Sequence, residues 1–173
     1  MKTLILLRHA KSSWKHGGLS DHDRPLNKRG RASAPVMAGW LIAKGYLPDT
    51  ILCSSSARTQ ETVALMRASQ PALPHPAILP ELYHAGFEMI LASVRDLPES
   101  TATAMLVAHE PGMSQATRSF ATEDVPDRCV RAFGHFPTAA AAIFEFDVGD
   151  WDQVSPGTGR FIDFAVPREL LAD

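Results

Sequence analysis

Four residues of this sequence have the right chemistry to hold and move a phosphoryl group. Arg8 and His9 stand side by side near the N-terminus, Arg58 follows a run of serines, and His109 closes an apolar run. An arginine offers planar paired donors and stays charged at any ordinary pH, which suits the non-bridging oxygens of phosphate. An imidazole with one ring N–H held by an acceptor presents its other nitrogen as a nucleophile. His9 fits that role, Arg8 and Arg58 would bind oxygens, and His109 would donate toward charge developing on the equatorial oxygens. The sequence has no Gly-x-x-x-x-Gly-Lys-Ser/Thr loop. These cations supply charge that other phosphoryl-transfer sites take from magnesium, so no metal and no other cofactor is expected.

Such a set works only if the fold gathers distant positions. The branched apolar run Thr3–Leu7 reads as a buried strand ending at Arg8 and His9. Apolar positions from about Asn27 to Lys44 recur at helical spacing, with Gly45 as the stop. Ile51-Leu52-Cys53 reads as a second strand, its serines capping a helix over about Thr59–Ala68. A Pro-rich passage, Pro71–Pro80, leads to a helix over about Phe87–Leu97, then to a third strand, Ala104–Ala108, and a helix from Pro111 and Gly112 to Phe120. Glu123–Pro137 reads as loop, and Ala142–Val148 and Arg160–Val166 as two strands joined by a longer turn. Strands alternating with helices predict an α/β three-layer sandwich, a mostly parallel sheet with helices on both faces and its ligands beyond the C-terminal strand ends. Arg8-His9, the serines before Arg58, and His109 all fall at such ends.

Composition narrows the partners. The 173 residues, 45% hydrophobic, predict a single domain over 1–173, and a net charge of -2 gives no basic field for nucleic acid or an anionic membrane. Two cysteines, Cys53 and Cys129, make neither a disulfide framework nor a zinc cluster, so a reducing, cytoplasmic setting is expected. No segment approaches the ~20 apolar residues of a membrane span. His16, His22, Asp21 and Asp23 lack ligand spacing for a metal, and His75, His84 and His135 read as surface or loop residues. Trp14, Trp40 and Trp151 read as core or rim packing.

Leu6-Leu7-Arg8-His9-Ala10, Ser54-Ser55-Ser56-Ala57-Arg58-Thr59-Gln60-Glu61-Thr62 and Val107-Ala108-His109-Glu110-Pro111-Gly112 follow the three predicted strands in order. Together they resemble the histidine phosphatase superfamily, the phosphoglycerate mutase-like proteins. Asp21-His22-Asp23-Arg24-Pro25-Leu26-Asn27-Lys28-Arg29-Gly30 further resembles its small phosphohistidine phosphatase branch. The resemblance spans about residues 3–115. It implies a nucleophile pair at Arg8 and His9, a phosphate-binding arginine at 58, a second histidine at 109, and Arg24 as an additional substrate contact.

Two positions depart from that pattern: Ala10 stands where Gly is usual and Glu110 where Asn is frequent. The Ala10 methyl is expected near a phosphate-binding backbone, and the Glu110 charge is expected to raise the pKa of His109 or repel acidic substrates. The proton donor is open among Asp21, Glu81 and Glu110, with Glu81 distantly similar to the mutase-type acid. Only 50 residues separate Arg58 from His109, leaving no room for a large lid. An open pocket points to phosphohistidine of a protein as substrate, with a small phosphoester by the same mechanism as the alternative. A non-catalytic phosphoprotein-binding module is the alternative of another class. Cys53 to Arg58 is one residue too short for a cysteine phosphatase loop.

Overall fold

A computed structural model describes residues 1–171. Its centre is a six-stranded sheet in the order β3-β2-β4-β1-β5-β6. The middle strand β1, Lys2–Arg8, pairs in parallel with β4, Thr103–Ala108. Beyond β4 lie β2, Thr50–Ser54, and the edge strand β3, Pro76–Leu79, both parallel to it. On the other side β5, Ala141–Phe146, and β6, Arg160–Ala165, add antiparallel neighbours. The α/β architecture expected from the alternation is therefore present.

Alternation along β1 sends its apolar residues to two separate cores. Leu4 and Leu6 face α3, Phe87–Arg95, and α4, Gly112–Phe120, along with an aromatic group that includes Phe144 and Trp151. Ile5 and Leu7 face α1, Lys28–Ala43, and α2, Ala57–Ser69. All four β1 side chains are fully buried, as a strand covered on both faces requires. Truncating any one to Ala would cost about 2–5 kcal/mol and loosen the strand that carries the candidate nucleophile. Asn27 caps α1 by accepting from Gly30 N–H, and Ser56 caps α2 by accepting from Thr59 N–H. Trp151 is fully buried with its indole N–H on the Thr101 carbonyl, whereas Trp14 is 80% exposed.

Two sequence expectations need correction. The Pro-rich passage contains β3, a four-residue edge strand beginning at Pro76, where proline is tolerated because one side of the strand needs no partner. The expected loop 123–137 contains the helix α5, Asp127–Val130, and a following 3-10 turn, Arg131–Phe133. Cys129 and Ala132 are buried there, anchoring the turns by two side chains too few to show as a periodic pattern. After β6, a short helix α6, Pro167–Leu170, closes the described chain. Among the described residues no helix is long and apolar enough to cross a membrane.

Candidate active site

The register of β1 on β4 sets Arg8 opposite Ala108, so the residues leaving the two strands, His9 and His109, emerge together. The His9 N–H donates to the Ala108 carbonyl at 3.1 Å, and the imidazole centroids stand 5.4 Å apart. His9 Nδ1 donates to the Ala10 carbonyl at 2.7 Å, which fixes the tautomer and leaves the lone pair on Nε2. That lone pair accepts from Arg58 Nε at 3.3 Å. Burial, together with the charges of Arg58, Arg8 and Arg24, lowers the His9 pKa to about 3 despite the opposing bond to Ala10. The ring is therefore neutral at physiological pH, as a nucleophile must be.

Arg58 lies in the first turn of α2 and is 3% exposed. Its Nη1 donates to the Asp21 carbonyl at 2.7 Å, and its Nη2 donates to Asp21 Oδ2 at 3.0 Å and His109 Nδ1 at 3.3 Å. Arg8 is held by one bond, from Nη1 to the Phe136 carbonyl at 2.9 Å, and its buried Nε has no partner among the described residues. An orphaned guanidinium donor at a strand end fits an anion.

His109 Nε2 donates to Ser54 Oγ at 2.8 Å, and Nδ1 accepts from Arg58, so this ring too is neutral. Burial, then His9, Arg58 and His84, lower its pKa to about 3. The expected upward push from Glu110 is absent. The Glu110 carboxylate instead accepts from Ser114 N–H at 2.7 Å, satisfying an orphan donor at the N-terminus of α4. Ala10 also departs from expectation: its methyl is buried among Leu7, Leu26 and Val63 of the α1–α2 core, and its N–H donates to Thr62 Oγ1 at 3.0 Å.

The remaining sequence candidates divide. Asp21 joins the group, accepting from Arg24 and Arg58 at 3.0 Å and from the Tyr83 hydroxyl. Burial would raise its pKa, but Tyr83, Arg24 and Arg58 outweigh that and hold the carboxyl well below its usual range. An ionised carboxylate cannot serve as a proton donor. Glu81 is exposed and lies along a groove with Leu79, Met89 and Ser93 beside the sheet edge, a groove that no histidine lines. Arg24 is close, but its donors are committed to Asp21, Ser12 Oγ and the Ser13 carbonyl, and its guanidinium lies 3.6 Å above the Trp14 ring. It braces Asp21 in the resting site. Burial pushes the Cys53 thiol up to about 12, the reverse of what a thiolate nucleophile needs.

Sequence reasoning did not bring Tyr83, His84 and Ser54 to the site; His84, read as a surface or loop residue, does lie on a turn with its side chain 55% exposed, yet it borders the group. Tyr83 stacks on His84 with centroids 4.0 Å apart, and both rings stand edge-on to His109. His84 Nε2 is 3.3 Å from Asp21 Oδ2 and 3.5 Å from Arg58 Nη2. The signal lay in the missed strand: β3 ends at Leu79, and Tyr83 and His84 follow it by one 3-10 turn, Pro80–Leu82.

Residues 4–141 match the model of the histidine phosphatase superfamily, branch 1. Uncharacterized protein Rv1276c of Mycobacterium tuberculosis is 33% identical over 164 residues, covering 94% of this chain and all of that protein. Among solved structures, the Agrobacterium tumefaciens protein provisionally assigned as phosphohistidine phosphatase SixA superposes with a TM-score of 0.80 at 29% identity, covering 96% of this chain and 98% of that one. The protein histidine phosphatase SixA complexed with tungstate superposes with a TM-score of 0.79 at 22% identity, covering 97% and 99%, a likeness of fold.

Proposed function

The chain belongs to the histidine phosphatase superfamily, with SixA-like proteins as its structural neighbours, and from that premise we propose that it hydrolyses phosphohistidine on a protein through a phosphoryl-enzyme at His9. The observation that carries this reading is the locked tautomer of His9. With Nδ1 tied to the Ala10 carbonyl, the Nε2 lone pair points among the guanidinium donors that would hold a phosphoryl group.

A phosphoryl oxygen takes the unpartnered Arg8 Nε–H, and others take donors of Arg58 in place of its bond to His9. His9 Nε2 is then free to attack phosphorus in line. The neutral His109 presents no N–H at Nδ1 in the resting site. The dianion beside it raises its basicity, so His109 takes up a proton from bulk water at Nδ1 as substrate binds and donates it as a hydrogen bond to an equatorial oxygen, returning it to water when phosphate leaves. Water then cleaves the phosphohistidine and restores the resting ring.

A protein substrate is favoured by what flanks the site. A groove of about 460 Å³, lined by Lys11, Arg29, Arg168, Phe164, Pro167 and the Arg131–Glu169 ion pair among others, begins two residues from His9. Its mix of cations and apolar surface suits an acidic, partly apolar protein segment better than a sugar phosphate.

The test is hydrolysis of a phosphohistidine protein and an aryl phosphate by wild type and His9→Gln, with trapping of labelled enzyme. Acid-labile label on wild type only, with preference for phosphohistidine, is the expected result. Turnover of the ester alone moves the substrate to small phosphoesters. Binding without turnover by wild type means a phosphoprotein-binding module.

A further inference from the structure

Every carboxylate considered as proton donor is disqualified by its surroundings, yet a titratable group stands beside Arg58 that no sequence signal singled out. Asp21 is held ionised between two arginines, Glu110 caps α4, and Glu81 lies along the outer groove. Building on the phosphoryl-transfer reading above, we propose that His84 is the general acid–base of the reaction, oriented by Asp21 and protonating the leaving group.

The geometry gives each ring nitrogen of His84 a distinct task. Nε2 lies 3.3 Å from Asp21 Oδ2, an ion-pair contact that favours the doubly protonated ring over the neutral one. Nδ1 makes no hydrogen bond to any described residue and is the nitrogen available to a leaving group. A single guanidinium relates His84 to the nucleophile: Arg58 Nε meets His9 Nε2 at 3.3 Å while Arg58 Nη2 meets His84 Nε2 at 3.5 Å. The imidazole centroids of His84 and His9 each stand 5.4 Å from His109, so both rings border the same pair of groups, Arg58 and His109, where a phosphoryl group would be held. The neighbouring His22 is unsuited, because Ser55 and Asp23 occupy both its nitrogens.

The backbone shows that this placement is imposed. His84 has φ 55°, the left-handed region that costs a non-glycine residue about 1 kcal/mol or more and is enriched at functional sites. The turn is fixed by the Ala85 N–H on the Leu82 carbonyl, by the Tyr83 ring stacked on His84, and by Gly112, whose missing side chain lets α4 meet the Ala85 carbonyl. The charged and titratable groups facing His84 are Asp21, Arg58, Tyr83 and His109.

The step balances. The His9 Nε2 lone pair forms the nitrogen–phosphorus bond, and the bond from phosphorus to the leaving nitrogen or oxygen breaks with its electron pair on the leaving group, which takes the Nδ1 proton of His84. In the second half, water forms the new phosphorus–oxygen bond and gives a proton to His84 Nδ1. The bond to His9 breaks, releasing phosphate, and both rings return to their starting states.

The experiment measures kcat/KM of wild type, His84→Asn and His22→Asn on phenyl, mononitrophenyl and dinitrophenyl phosphate, an order of increasingly good leaving groups. Asparagine tolerates the left-handed backbone, so the turn survives while the proton donor is lost. General acid catalysis is typically worth 10²–10⁴-fold. We therefore expect H84N to lose about 100-fold on phenyl phosphate and at least tenfold less on dinitrophenyl phosphate, with the inhibition constant of inorganic phosphate nearly unchanged. H22N should lose equally on all three esters. An equal loss by H84N on every ester, or a matching loss of phosphate affinity, overturns the assignment and makes His84 a binding residue. Absence of His9-dependent turnover in wild type would sink the phosphatase reading instead, a separate outcome.

Discussion

Acidification from about pH 7.5 to about pH 5.5 should destabilise this protein through the two imidazoles at its strand ends. His9 and His109 both have pKa values lowered to about 3, whereas a histidine in the unfolded chain titrates near ~6.5. Between those values the unfolded chain binds more protons than the fold, so stability rises with pH across the window and is complete above about 6.5. One pH unit inside the window costs about 1.4 kcal/mol for each ring, or roughly 3–5 °C of melting temperature in a chain of this size. Asp21 does not confuse the measurement: its depressed pKa keeps its contribution intact above about 3.9 and lost only as pH falls further. The assay is thermal unfolding of wild type and His9→Gln at both pH values, with NMR titration of the ring signals. The His9→Gln melting point should fall by about 3–5 °C less than wild type. In activity, a nucleophile titrating near ~6.5 would be only about one-tenth neutral at pH 5.5, whereas the lowered one loses nothing. A His9 midpoint near the unperturbed value, or equal melting shifts in the two proteins, would refute the claim that burial and arginine charge hold this ring neutral.

Three other perturbations probe the supports of the site. Ser54→Ala leaves the buried His109 Nε2–H without its acceptor, costing about 1–3 kcal/mol, and should lower kcat/KM about tenfold in steady-state assays. Arg29→Glu combined with Arg168→Glu reverses charge along the groove, so KM for a phosphohistidine protein should rise about tenfold while KM for an aryl phosphate stays put; equal shifts would remove the groove from substrate docking. Gly112→Ala places a methyl against the Ala85 carbonyl, and should cost about 1–3 kcal/mol by thermal unfolding while lowering kcat by displacing the Tyr83–His84 turn.

What was legible in the sequence follows from which interactions are local. Apolar runs ending in Arg8-His9 and His109 announce strands, and parallel pairing alone then sets the two imidazoles side by side. The serines before Arg58 announce a helix cap, and Ser56 provides it. Ala10 and Glu110 looked like perturbations of the pocket only because the sequence cannot say where a side chain turns. The methyl goes into the α1–α2 core and the carboxylate onto α4. β3 was hidden because an edge strand of four residues starting at proline carries no alternating pattern, and with it went the strand end that delivers Tyr83 and His84. Asp21 was visible as a position, but its ionisation depends on Arg58 and Tyr83, which are 37 and 62 residues away in the chain.

The same non-local contacts explain why the resting site is poised. All three side-chain nitrogens of Arg58 are engaged, by His9, His109, His84 and Asp21, while Arg8 keeps a buried donor unused. Two neutral imidazoles among cations form a site that disfavours added positive charge, so neither ring takes a proton before substrate arrives. In the proposed reaction a phosphoryl dianion would reverse that field: it would satisfy Arg8, draw Arg58 off the His9 lone pair, and make a protonated His109 favourable. On this proposal His9 must lose a donor to become a nucleophile and His109 must gain a proton to become a hydrogen-bond donor, and the charge of the substrate would drive both changes at once. A neutral isostere of phosphate should therefore bind poorly and leave the His109 signal untitrated near neutral pH, whereas tungstate should bind and shift it.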